Sequence, residues 1–323
     1  MKKILVTGAF GQIGTELVPS LQAKYGRENV IAMGNRNLPE DFDGVVEALE
    51  LPNYEGLKAL IEKHDVGTIY HMVSLLSAKG EINPDLTWDI NVNSLKDVLD
   101  LAKEYQLKVF WPSSIAAFGP TTPKDQTPQR TVLEPTTMYG VTKVTGENLC
   151  HYYYLKYDVD VRSVRYPGLI SWKAEPGGGT SDYAVAIFYD GLQHGKYTCF
   201  VGPETTLPMM YMDDAVKGTI DLMEADPAKL TVRHSYNLAA FSFTAAELAA
   251  EINRHLPVAV DYQPDHRQQI ADSWPNSIDD SVARADWGWQ HQFGLGEMTT
   301  EMIAKLKDKF QAEGKLKKEA ANA

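Results

Sequence analysis

The sequence predicts an α/β protein built on a doubly wound parallel sheet, with a smaller α/β lobe beside it. Three observations predict it. Short β-branched runs alternate with amphipathic segments through the first half of the chain, the rhythm of successive strand–helix–strand units. A glycine-rich turn follows the first run directly, and beyond residue 170 the composition shifts toward Gly, Pro and Tyr.

The opening run, Lys3-Ile4-Leu5-Val6-Thr7, reads as the first strand, and Ile13, Leu17 and Leu21 then recur at helical spacing, one apolar stripe facing the sheet. Pro19 lies inside that helix and is expected to kink it or shift its bonding. Further strands are read at Val30 to Met33, Thr68 to Met72 and Lys108 to Trp111, and another from Val159 to Tyr166, ending at Pro167-Gly168. Glu175-Pro176-Gly177-Gly178-Gly179-Thr180 is a loop that regular structure cannot hold. Helical patterns return at Thr244 to Leu256 and at Met298, Met302, Leu306 and Phe310, the last four spaced by one turn each.

Composition narrows the function. The chain has 323 residues, about two domains' worth. Its 43 acidic against 31 basic side chains give a net charge of -12, which repels nucleic-acid phosphates and anionic membranes. No apolar run reaches the length of a membrane span, and the N-terminus enters a strand rather than a signal peptide. A cytoplasmic protein with neither nucleic-acid nor membrane partners is expected. The two cysteines, Cys150 and Cys199, make no disulfide framework and no zinc pattern, so no metal is expected.

Gly8-Ala9-Phe10-Gly11-Gln12-Ile13-Gly14 joins the first strand to the first helix. Backbone amides at a helix N-terminus, cleared of side chains, suit the pyrophosphate of a dinucleotide. Gly8, Gly11, Gln12, Ile13 and Gly14 are therefore the first cofactor candidates. With its Gly-x-x-Gly-x-x-Gly spacing, the turn resembles that of the extended short-chain dehydrogenase/reductase superfamily, which implies a Rossmann-type domain over residues 1–170. The remainder, 171–323, is then mainly a substrate-binding lobe, with segments returning to the sheet.

In that superfamily an acid after the second strand binds the adenosine ribose and selects NAD over NADP. Gly34 stands at that position here. NAD is the expected cofactor, but a missing carboxylate neither accepts bonds from the ribose nor repels a 2'-phosphate, which Arg36 could attract. NADP is therefore left open. The resemblance further places Glu50 near the adenine amine, with Leu51 and Tyr166 among the cofactor contacts.

Tyr139-Gly140-Val141-Thr142-Lys143 places a phenol and an ammonium four residues apart, on one helix face. An adjacent cation favours the phenolate and lets tyrosine act as a base. Ser113 and Ser114 follow the fourth strand, at the carboxyl end where parallel sheets bind ligands. The resemblance makes Tyr139 the proton-transfer group, with Ser114 bonding the reacting oxygen and Lys143 holding the cofactor ribose and lowering the tyrosine pKa. Ser113 is the close alternative to Ser114.

Several stretches resemble one branch, the short-chain-type L-threonine 3-dehydrogenases: Leu75 to Glu81, Arg165 to Ser171, Pro176 to Ala184, Met209 to Ala215 and Ala271 to Pro275. This implies oxidation of L-threonine at its β-hydroxyl to 2-amino-3-oxobutanoate, in a homodimer. Ser77, Ser113, Tyr139, Thr180, Asp182 and Trp274 become the substrate-binding candidates, and the glycine stretch a clamp that closes over a small amino acid. Trp274 reads equally as core, and His71 reads as core rather than catalytic. The rivals are a nucleotide-sugar epimerase or reductase using the same Tyr139 and Lys143, and a non-catalytic dinucleotide-sensing protein.

Overall fold

A computed structural model describes residues 2–35 and 38–315. The first half of the chain forms β1 (Lys3–Thr7), α1 (Gly14–Tyr25), β2 (Val30–Gly34), β3 (Val45–Ala48), α2 (Tyr54–His64), β4 (Val66–His71), α3 (Ser77–Ile82), α4 (Pro84–Trp88), α5 (Ser94–Tyr105), β5 (Lys108–Ser114) and α6 (Met138–Tyr157). Next come β6 (Val161–Tyr166), β7 (Gly168–Ile170), α7 (Tyr183–His194), β8 (Lys196–Cys199), β9 (Thr206–Tyr211) and α8 (Met212–Glu224). The chain continues through β10 (Tyr236–Asn237), β11 (Phe241–Thr244), α9 (Ala245–Asn253), β12 (Ala259–Tyr262), α10 (His266–Ser273), α11 (Ser281–Trp287) and α12 (Leu295–Ala312).

Among the described residues, seven strands form one sheet in the order β10-β6-β5-β4-β1-β2-β3, and every neighbouring pair is parallel. This is the expected doubly wound fold. The order reverses between β1 and β4, so their carboxyl ends flank a crevice not crossed by a connection, the usual ligand position in such sheets. Register aligns those ends: Thr7 lies opposite His71, and Ser114 opposite Tyr166.

Two apolar layers cover the sheet. On one face Leu17 and Leu21 of α1 pack with Val216 and Ile220 of α8; on the other, Leu57 and Ile61 of α2 join Leu95 and Leu99 of α5. The strands are buried on both sides, which is why they read as continuous apolar runs. Pro19 sits on the exposed side of α1, and the helix runs unbroken through it.

A third core belongs to the lobe. It unites α7, α9 and α12 with the small sheet β11-β9-β7, and Met298, Met302, Leu306 and Phe310 are all fully buried in it. Ile115, Phe118 and Tyr139 also pack there. The junction between sheet and lobe thus runs past the tyrosine singled out from sequence.

Candidate active site

A cavity of about 390 Å³ opens where the sheet's carboxyl edge meets the lobe. The glycine turn, the end of β5, the start of α6 and the Ala174–Asp182 segment all line it. Gly8 adopts a left-handed backbone, φ 66°, and a β-carbon on Gly14 would lie 2.4 Å from the carbonyl oxygen of Gly8. The turn is closed to side chains by its own backbone. Ile13, at the N-cap of α1, makes no side-chain cap bond, and Thr15 N and Glu16 N bond the carbonyls of Gly11 and Ile13, at 3.0 and 3.1 Å, so no side chain stands over the turn at that helix end. Such a cradle fits the pyrophosphate of a dinucleotide.

The reacting groups come from β5 and α6. Thr137 caps α6 by accepting from Gly140 N at 3.1 Å, and Glu81 accepts from Met138 N at 2.6 Å. This fixes the first turn, where Tyr139 is 9% exposed and lines the cavity together with Ser114 and Ser74. Ser114 also accepts from Ala116 N at 3.2 Å, so it caps the turn after β5 as well as facing the phenol. One helical turn on, Lys143 donates to the carbonyl of Pro112 at 2.7 Å, and its ammonium lies 5.2 Å from the Tyr139 ring centre.

Burial dominates the electrostatics of this protein without a cofactor. It pushes Tyr139 up to about 12, against the lowering effect of Ser114 and Ser74. It pushes Lys143 down to about 7, opposed by Cys150 and Glu147. Both charged forms are disfavoured by burial until something else adds charge or bonds.

The substrate candidates divide. Ser77 and Thr180, 103 positions apart, meet with their hydroxyls 3.5 Å from each other, both buried. Trp274 lines the same cavity and packs into the lobe core, so the two readings of it coexist. Ser113 also lines the cavity, and its hydroxyl donates to Glu147 at 2.6 Å. Asp182 lines it too, and its carboxylate accepts from the amides of Gly178 and Gly179, at 2.8 and 2.7 Å. It holds the glycine loop rather than presenting a free charge. His71 is fully buried between Thr7 and Ser94, at 2.8 and 3.0 Å, in keeping with a core role.

Among the cofactor candidates, Tyr166 lines the cavity, and its hydroxyl meets that of Thr219. Leu51 is buried, and Glu50 follows Leu49, whose amide bonds the carbonyl of Gly34 at 2.8 Å. Arg36 lies outside the described residues. At Gly34 a β-carbon would come within 2.6 Å of the Phe10 ring and 2.9 Å of Leu38, so Phe10 fills the room an acidic side chain needs. Ser74 was missed in the sequence; its only signal is a hydroxyl shortly after β4. Glu16 was missed as well. It accepts from Ser171 at 3.0 Å and pairs with Lys173 at 2.5 Å, tying α1 to the base of the glycine loop.

A bare anion cradle at a helix end, with a Tyr–Lys–Ser set on the same crevice, defines a dinucleotide-binding α/β protein of the short-chain dehydrogenase type. The chain belongs to the NAD dependent epimerase/dehydratase family, whose family model matches residues 4–239; the superfamily read from the sequence is borne out. It is 49% identical to a protein of Staphylococcus haemolyticus described as an uncharacterized epimerase/dehydratase, over 96% of this chain and 99% of that one. Among solved structures, the holo form of a GalE-like L-threonine dehydrogenase from Cupriavidus necator is 52% identical with a TM-score of 0.93, covering 94% of this chain and 99% of its own. An L-threonine dehydrogenase from Clostridium difficile is 47% identical, also with a TM-score of 0.93, covering 96% and 98%.

Proposed function

We propose that the protein oxidises L-threonine at its β-hydroxyl to 2-amino-3-oxobutanoate with NAD. The observation that carries this reading is the convergence of Tyr139, Ser114 and Lys143 on the cavity that the glycine turn also lines, in a chain about half identical to L-threonine dehydrogenases over nearly its whole length. Gly8, Gly11, Gln12, Ile13 and Gly14 hold the pyrophosphate, Glu50 and Leu51 border the adenosine end, and Tyr166 lies toward the nicotinamide. Lys143 binds the adjacent ribose.

The threonine hydroxyl sits between Ser114 and Tyr139. Ser114 orients the oxygen, and Tyr139 takes its proton as the carbon–oxygen bond becomes a carbonyl. Bound NAD supplies the acceptor for the hydride that leaves Cβ, and its positive ring offsets the burial that otherwise disfavours the phenolate. Ser77 and Thr180 supply the hydroxyls, and Trp274 an apolar wall, around the amino-acid end of the substrate. Ser113 and Asp182 line the same cavity and brace its walls through Glu147 and the glycine amides.

The protein acts in the cytoplasm as a homodimer. Supporting the dimer, Val141, Tyr152 and Leu155 are exposed on α6 at positions that share one helix face. Discrimination between NAD and NADP is weak, since Gly34 offers no carboxylate to repel a 2'-phosphate.

The test is absorbance of reduced nicotinamide on mixing protein, L-threonine and either cofactor. The expected result is reduction with both cofactors, and a loss on Tyr139→Phe of about a hundredfold or more with cofactor binding retained. No reduction with either cofactor defeats the reading. Turnover of a nucleotide sugar without net reduction would favour an epimerase, an activity named in the family's description.

A further inference from the structure

Tyr139, Lys143 and Glu147 follow one another at intervals of four along α6 and so share one face. Each meets a different residue at the end of β5. Tyr139 lines the cavity beside Ser114, Lys143 donates to Pro112 O at 2.7 Å, and Glu147 accepts from Ser113 at 2.6 Å. The helix is laced by hydrogen bonds to two consecutive strand residues, Pro112 and Ser113. The approach is close: a β-carbon on Gly146 would lie 2.3 Å from the Trp111 ring.

Glu147 is fixed in turn by Arg165, which lies opposite Ser113 on β6. The guanidinium donates to both carboxylate oxygens, Nε at 2.9 Å and Nη2 at 2.7 Å. Its remaining reach goes to Asn237 of β10 at 3.0 Å and to the Gln129 carbonyl at 3.1 Å. Ser113, Glu147, Arg165 and Asn237 are all at most 4% exposed. Burying an ion pair of this kind costs desolvation that an apolar pair of similar size avoids, so helix packing alone does not require it.

We propose that Glu147, held by Ser113 and Arg165, is a positioning residue for the reaction: it sets how α6 seats on β5 and balances the charge one turn below Lys143. The catalytic readout of this proposal rests on the threonine-oxidation reading, whereas its cofactor-binding readout does not.

The charged and titratable groups around this site come from several elements. From α6 they are Tyr139, Lys143, Cys150 and His151; from β4, His71; from β6, Arg165; and from the loops beside β10, His234 and Arg130. Burial holds His71 neutral above about 3 and pushes the Cys150 thiol up, so neither changes charge near neutrality. His234, stacked on His151 at 3.8 Å, is lowered by burial and by that neighbour. The Glu147–Arg165 pair contributes no net charge while intact. Removing either partner alone leaves a full unit of charge next to Lys143.

The sign of the response follows from this. E147Q leaves an unbalanced cation, which favours the Tyr139 phenolate and disfavours the Lys143 ammonium, so both groups titrate at lower pH. R165M leaves an unbalanced anion and moves both the other way. The double variant E147Q/R165M is neutral again.

Two readouts test this on the full-length protein: the pH profile of kcat/KM for threonine-dependent NAD reduction, and the pH midpoint of NADH binding followed by quenching of protein fluorescence. E147Q is expected to shift both midpoints about one unit toward acid, a tenfold change in acidity constant. R165M should shift them toward alkali, and the double variant should return close to wild type. S113A keeps the charges; it should leave the midpoints in place and lower kcat about threefold to tenfold through looser seating of α6. Single variants that shift in the same direction, or midpoints that do not move, overturn the proposal. Should R165M fail to fold, as judged by its melting curve, the acid shift of E147Q against the unshifted S113A decides. If wild-type protein does not reduce NAD with threonine, the functional reading fails, while the NADH-binding midpoints still decide this one.

Discussion

Two walls of the same cavity are built in different ways. The wall from β1, β4, β5 and α6 is held by backbone and buried groups: the glycine turn leaves no room for a β-carbon at Gly14, and Lys143, Glu147 and Ser114 each bond to or across the sheet edge. The wall from Ala174 to Asp182 is tied at a few points. Asp182 gathers the amides of Gly178 and Gly179, Glu16 grips its base through Ser171 and Lys173, and Ser77 meets Thr180. Between these ties, β-carbons placed on Gly177 and Gly178 would meet nothing within 4 Å. The first wall is preorganised for charge and orientation; the second is held by sparse contacts.

The largest effect should come from breaking the first wall at its tightest point. Gly14→Ala sets a β-carbon 2.4 Å from Gly8 O and 2.5 Å from Ala9 O, atoms that belong to the backbone and cannot rotate away. The turn must open, and with it the anion cradle. NADH binding, measured by fluorescence titration, should weaken by about a hundredfold or more, roughly 3 kcal/mol. Binding within a few-fold of wild type would mean that the turn is as yielding as the glycine loop.

Acid should attack the same wall. Ser94 donates to the Ile90 carbonyl, so it accepts from His71 Nε2–H, leaving Nδ1 to accept from Thr7. Protonating Nδ1 removes that acceptor in a fully buried site, and burial holds His71 down at about 3. Its folded-state pKa is below the ordinary 6.5, so its stabilising contribution is present above pH 6.5 and is lost progressively as pH falls toward 3. Each unit is about 1.4 kcal/mol. Urea midpoints should fall more steeply over this window for wild type than for His71→Gln; equal slopes would place the acid sensitivity elsewhere.

For the second wall the expected loss is smaller and of another kind. Asp182→Asn keeps the shape and removes the charge that the two glycine amides bind. Charge-assisted bonds to a carboxylate are about twice as strong as neutral ones, so the closed loop should lose about 1.5 kcal/mol. KM for threonine should rise about tenfold with kcat changed much less, because Tyr139 and Lys143 are untouched. A fall in kcat with KM unchanged would make Asp182 part of the chemistry.

The same division explains what could be read from the sequence. The first wall was legible because its parts are local: the glycine turn follows a strand within a few residues, and Tyr139 and Lys143 are separated by one helical turn. Ser114 and Ser113 were adjacent but not interchangeable, since alternation along β5 sends one hydroxyl to the phenol and the other to Glu147. The second wall depends on pairs far apart in the chain. Ser77 with Thr180 and Glu16 with Ser171 leave no local pattern, and Asp182 showed a carboxylate without showing that neighbouring amides occupy it. The missing acid at Gly34 was visible, while the Phe10 ring that stands against that position required the fold.

Gly177→Ala should have the smallest effect and sharpens the comparison most. The added methyl group meets nothing within 4 Å, and Gly177 lacks the left-handed backbone of Gly178, whose φ is 95°. Alanine is therefore accommodated without strain, and its main action is to reduce the freedom of the open loop. A Gly-to-Ala change at a compatible position is worth about 0.4 to 1 kcal/mol, so KM for threonine should fall by about twofold to fivefold as closure loses less entropy. kcat should hold or decline slightly if opening limits product release. At Gly178 the same substitution meets a backbone that L residues rarely adopt and should raise KM instead. Should Gly177→Ala raise KM tenfold, the open space at Gly177 must be filled when substrate is bound, and the glycine would serve close approach to the ligand rather than loop motion.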